Sequence, residues 1–89
     1  MEYDWNIAKA AKNLKKHKVS FEEAASVFGD PLAYTFPDPD HSEGEHRLLT
    51  FGLSVDQRIL VVSHLEHPRG IRIISARMAT THERKIYES

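Results

Sequence analysis

Eighty-nine residues suffice for one domain, taken as 1–89, with a modest core. A chain that is 40% apolar and 28% charged has the make-up of a soluble globular protein, and without cysteine it builds no disulfide, zinc ribbon or thiol nucleophile. Net charge is −1, no apolar run approaches the roughly 18 residues of a membrane span, and "MEYDWNIAK" has no apolar signal core, so a cytoplasmic protein is expected.

"EYDW" reads as a short first strand, with Asp4 as the cap of the next helix. From Trp5 to His17, Ile7, Ala10, Ala11 and Leu14 recur at spacings of three and four, which predicts one apolar helix face. Its end, "KKHK", suits the negative pole of the helix dipole. "SFEEAASVFGDP" predicts a second helix from Ser20, ending by Asp30. Ser20 and Glu23 form a capping box, Phe21, Ala24, Ala25 and Phe28 make the apolar face, and Gly29 and Pro31 stop it. "LAYTF" alternates as a strand halted by Pro37, and "PDPDHSEGE" is a polar loop. "RLLTFGLS", "RILVVSHLE" and "GIRIISAR" are strands joined by the turn-sized "VDQ" and "HPRG", hence an antiparallel meander. Thr80 or Thr81 caps a last helix. The order β-α-α-β-β-β-β-α predicts an α+β fold: a small antiparallel sheet, two N-terminal helices on one face, and a C-terminal helix.

The near-neutral total hides a segregation. Residues 1–30 balance five lysines against five acids, 31–45 carry four acids and no cation, and 46–89 carry seven cations against four acids. Local potential, not the total, governs attraction of a polyanion. Arg72 and Arg77 lie five apart, so in a regular strand they face opposite ways. Arg77 at the strand's end and Arg47 at the start of another can share one end of the sheet and hold a phosphate. The alternative is that Arg77 pairs with Glu83 or with a helix C-terminus. His17, beside Lys16 at a helix end, is a candidate proton carrier, because histidine changes charge near neutral pH; helix capping is the alternative. His64, on a core strand, reads as structural. Tyr87 either stacks on a base or packs down the last helix. His41 and His46 lie among Asp38, Asp40, Glu43 and Glu45, yet "DPDHSEGE" lacks the ligand rhythm of a calcium loop, so a solvated acidic loop, or one that meets a basic partner, is expected.

"NLKKHKVSFEEAASVFGDPLAYTFPDPDHSEGEHRLLTFGLS" and "IRIISARMATTHERKIYE" resemble the BrnT family of bacterial toxins along essentially the whole chain. That family's pattern runs N-L-x-K-H-G-V-S-F-E-E-A, D-P-x-A, then R-I-I-S-A-R-x-A-x-x-x-E-R-x-x-Y-E. The resemblance implies a RelE-like fold and a growth-inhibiting ribonuclease toxin of a type II toxin–antitoxin pair. It implies neutralisation by a BrnA-type ribbon-helix-helix antitoxin that binds operator DNA, and neither metal nor cofactor. Carried onto this sequence, its motif positions fall on Lys16, His17, Arg47, Arg77 and Glu83 with Arg84, and Tyr87 matches its terminal tyrosine. A metal-free cut needs a base, an acid and cations, so the candidate catalytic residues are Lys16, His17, Arg47, Arg77 and Glu83, and the candidate RNA contacts are Arg72, Arg84, Lys85 and Tyr87. Lys18 stands where the family has glycine. A second class of function stays open: a non-catalytic, inactivated toxin acting as co-repressor with its antitoxin.

Overall fold

The structure, a computed structural model, describes residues 2–39 and 46–89. Strand β1 (Glu2–Asp4) is followed by helices α1 (Ile7–His17) and α2 (Phe21–Ser26), a 3-10 turn (Val27–Gly29), strands β2 (Tyr34–Pro37), β3 (Arg47–Leu53), β4 (Ile59–His67) and β5 (Gly70–Met78), and helix α3 (Thr81–Glu88). The expected element order is therefore observed. The sheet order is β1-β5-β4-β3-β2. Strands β2 to β5 form the antiparallel meander, while β1 joins the far edge in parallel, with Tyr3 opposite Ile71. Gly70 permits that pairing, since a Cβ there would lie 1.9 Å from the Glu2 carbonyl oxygen.

The core lies between the sheet and the two N-terminal helices. Leu60 and Val62 of β4 and Ile71, Ile73 and Ala76 of β5 meet Val19, Phe21, Ala24 and Val27. Each fully buried large side chain contributes roughly 1.5–3 kcal/mol. His64 lies on the same side, wholly buried, with Phe28 edge-on at 4.8 Å. Its Nε2 shares a hydrogen bond with Thr50 Oγ1 at 2.7 Å, and Thr50 shares one with Thr35 at 2.8 Å. Burial pushes the imidazole down to about 4, so it is neutral, as a structural histidine should be.

Several local expectations are corrected. Asn6, not Asp4, caps α1: its side chain accepts from Lys9 N at 3.0 Å. Ser20 does cap α2, accepting from Glu23 N, but the Glu23 carboxylate turns inward instead of closing the box. There it accepts from Ser54 Oγ at 2.7 Å and pairs with Arg58. The second helix tightens to a 3-10 turn before Asp30, and Gly29 needs no left-handed backbone. Lys18 does take that conformation, at φ 61°, and donates its N–H to Leu14 O. Ile7 and Leu14, expected to face inward, are 83% and 50% exposed.

Candidate functional site

The sheet's other face holds the arginines. Opposite the core, Leu65, Ser63 and Val61 of β4 alternate with the core-facing Leu60, Val62 and His64. Their β5 partners are Arg72, Ser75 and Arg77. In a regular strand this is impossible, because Arg72 and Arg77 differ by an odd number. A bulge makes it possible: Ser63 pairs with Ser75 and His64 with Ile73, so Ile74 is an extra residue that reverses the alternation. Arg72, Ser75 and Arg77 thus form one row along β5, each step covering about 7 Å.

The expected juxtaposition of Arg47 with Arg77 does not occur. Arg47 opens β3 opposite Leu65, whose other partner is Arg72, while Arg77 sits at the far end of β5 opposite Val61. The parallel course of β3 and β5 makes this unavoidable, since one arginine starts its strand and the other ends its own. Arg47 therefore shares a row with Arg72, two strand spacings or about 10 Å away, and lies diagonally across the face from Arg77. Arg72 donates to Asp4 Oδ1 at 3.3 Å, an exposed and weak pair.

Arg77 is clamped by α3. Its Nη1 and Nη2 donate to Glu83 Oε1 and Oε2 at 2.7 and 2.9 Å, and Nη1 also reaches Met78 O. Glu83 is fixed in turn by the capping box that opens α3, with Thr80 N donating to it at 2.8 Å. The guanidinium holds the Glu83 carboxyl down at about 2, and Glu83 raises Arg77 further. Three of the five guanidinium N–H groups are thereby used. The side chain remains 40% exposed, so donors are still turned toward solvent. The alternative pairing of Arg77 with Glu83 is thus present, and it orients the arginine rather than hiding it.

Lys16 and His17 reach this region from α1. With Lys9, Lys12, Asn13, Ile74 and Ser75 they line a groove of about 300 Å³ at the edge of β5. Sequence reasoning missed the residue that sets the groove. Asn13, buried, donates to Ala76 O at 2.8 Å and to Val19 O at 3.0 Å, and accepts from Ala76 N at 3.1 Å. It stands in for a neighbouring strand where β1 has ended. Its one signal was an asparagine inside a helix, where a polar side chain needs a reason.

Tyr87 packs rather than projecting: its hydroxyl donates to Asp30 Oδ2, which pushes the phenol up to about 12. Asp30 also accepts from Leu32 N and Leu53 N, so it ties the end of α2 to β3 and α3. Arg84 lines a separate small cavity with Leu53, Gln57, Arg58, Ile59, Met78 and Ala79, and Lys85 is exposed on α3. The structure thus brings Lys16 and His17 together with Ser75, the middle member of the row, in one groove that Arg77 and Glu83 do not line, and it leaves Arg47, Arg84 and Tyr87 apart. Among the described residues no cluster of three His, Asp or Glu is arranged to hold a metal. Asp40, His41, Glu43 and Glu45 of the acidic loop lie outside them. No described helix is long and apolar enough to cross a membrane.

This geometry defines a class: a small α+β protein whose cations gather on one sheet face and along the first helix. The chain belongs to the family described as "Ribonuclease toxin, BrnT, of type II toxin-antitoxin system", which it matches over residues 5–83. The structure is similar to the crystal structure, at 1.1 Å resolution, of the Brucella abortus ribonuclease toxin BrnT. The two share 23% identity and a TM-score of 0.70 over 91% of this chain and 99% of that one, a likeness of fold. Among curated proteins none matches the sequence. The family resemblance carried by the motifs therefore holds, and with it membership among type II ribonuclease toxins.

Proposed function

We propose that this chain is an active, metal-independent endoribonuclease that inhibits growth, with its centre at the β5 edge between His17, Lys16 and Arg77. The observation that carries this is the doubly held Arg77, presented on the same face as Ser75, which lines the groove of Lys16 and His17. In this reading the His17 imidazole takes the proton of a ribose 2′-hydroxyl. The freed oxygen forms a bond to the adjacent phosphorus, and the P–O5′ bond breaks. The Lys16 ammonium gives its proton to the departing O5′, leaving a 2′,3′-cyclic phosphate and a 5′-hydroxyl. Arg77 holds the charge that gathers on the phosphorane oxygens, and Glu83 keeps the guanidinium in place. Arg72 and Arg47, in their own row, hold flanking phosphates, while Arg84 and Lys85 add to the potential around α3.

The partner in this reading is a BrnA-type antitoxin that covers the arginine face, with operator DNA contacted through the antitoxin. A second reading, an inactivated toxin serving as co-repressor, draws support from the same ion pair, because Glu83 neutralises the arginine on which the chemistry relies. Induced expression with RNA integrity followed over time, with and without the antitoxin's reading frame, separates the two. The enzyme reading expects RNA loss that the antitoxin prevents, and a drop of about 10²–10³ in cleavage rate for a folded Arg77→Ala variant. Intact RNA under wild-type expression, or full toxicity of Arg77→Ala at equal level, rejects it.

A further inference from the structure

We infer that the groove between α1 and the bulged edge of β5 is a track for the RNA backbone, in which Lys9 and Lys12 hold phosphates leading away from the proposed centre. The inference rests on the ribonuclease reading above and extends it to residues outside the catalytic set. Lys9, Lys12 and Lys16 recur at spacings of three and four, so they form one stripe along α1 with rises of about 4.5 and 6 Å. Asn13 belongs to the same helix face, and its hydrogen bonds to Ala76 and Val19 fix the rotation of α1 about its axis. The lysines are therefore aimed at the groove by the fold rather than by chance. Helix α1 contains no carboxylate, and among the described residues none forms an ion pair with these three lysines. The floor is Ile74 and Ser75, the residues around the bulge, so one wall of the groove is continuous with the row Arg72, Ser75, Arg77.

The chemistry favours a polyphosphate backbone over a protein segment. Protein partners draw their affinity from buried aromatic or aliphatic anchors, and this groove offers a single apolar side chain, Ile74. The apolar side of α1, with Ile7, Ala11 and Leu14, faces elsewhere, toward a second groove shared with Trp5 and Phe21. A row of ammonium groups with no carboxylate partner among the described residues, and without apolar anchors, suits sequence-independent phosphate contacts.

The test is binding of a 2′-O-methylated single-stranded RNA oligonucleotide, which cannot be cleaved through its 2′ position, measured by fluorescence anisotropy over a range of salt. The Lys9→Gln/Lys12→Gln double variant is expected to lose about 1.4 from the slope of log K against log salt. Its affinity at low salt should fall about tenfold, with an unchanged melting temperature. Lys15→Gln, on the same helix but outside the groove, should keep the wild-type slope. A double variant with the wild-type slope and affinity overturns the inference. If it cleaves RNA as fast as wild type as well, the ribonuclease reading survives while the track is discarded. If it keeps the RNA slope but loses the antitoxin, the groove is a protein interface and the inference is wrong. A wild-type protein that neither binds nor cleaves RNA removes both.

Discussion

Helices α1 and α2 lie side by side over the same sheet, and both read as amphipathic, yet they are held in opposite ways. Helix α2 buries what its pattern says it should: Phe21, Ala24 and the following Val27 are fully enclosed. Helix α1 leaves Ile7 and Leu14 in solvent and buries Asn13. The difference follows from what each helix meets. Helix α2 lies over Leu60, Val62 and Ile73, a continuous apolar surface. Helix α1 lies along β5 where β1 has stopped, so it faces backbone groups at Ala76 that need partners, and a hydrogen-bonding side chain serves there better than leucine. Amphipathic spacing tells which residues share a face. It does not tell which face turns inward when the neighbour is a bare strand edge.

Four measurements test this contrast, beginning with the largest effect. Phe21→Ala should lower unfolding free energy in urea by about 3–5 kcal/mol, the cost of a cavity under α2. Second, acid should weaken the α2 side, where His64 lies under Phe28. The unfolded chain protonates its histidine below about 6.5 and the folded one only near 4, so stability is complete above pH 6.5 and falls between 6.5 and 4. The loss amounts to about 3 kcal/mol and levels off below pH 4. His64→Gln should flatten that slope in a pH series of urea melts. The Arg77–Glu83 pair fails later, between about pH 4.5 and 2, because there it is the carboxylate that must be protonated.

Third, Asn13→Ala should cost roughly 2 kcal/mol, since it strands the Ala76 and Val19 backbone groups, and amide exchange at Ala76 should quicken. Leu14→Ser is the smallest, within about 0.5 kcal/mol, because the side chain is already half in water. If Leu14→Ser proves as damaging as Phe21→Ala, the account of α1 is wrong.

Much of the fold was legible because local signals agreed with the tertiary outcome. Ser20 and Thr80 capped the helices assigned to them, the meander followed from turn-sized connections, and His64 behaved as a core histidine. The site was legible in composition but not in arrangement. The facing of Arg72 and Arg77 depends on one extra residue, Ile74, and a bulge inside an apolar run leaves no mark in the pattern. Nothing in the spacing of Arg47 and Arg77 reveals that they lie at opposite ends of the sheet, which the shared direction of β3 and β5 dictates. Glu23 carried a capping signal and a buried ion pair at once, and the geometry chose the second because Arg58 and Ser54 converge on it.

The central claim is that a metal-free centre at the β5 edge cuts RNA through its own 2′-hydroxyl. The most direct measurement is incubation of purified protein with single-stranded RNA in the presence of EDTA, followed by analysis of the new ends. The account predicts 2′,3′-cyclic phosphate and 5′-hydroxyl termini from the wild type, and almost none from a folded Arg77→Ala variant. Cleavage that requires added divalent metal and leaves 3′-hydroxyl ends, or cleavage untouched by Arg77→Ala, would contradict it.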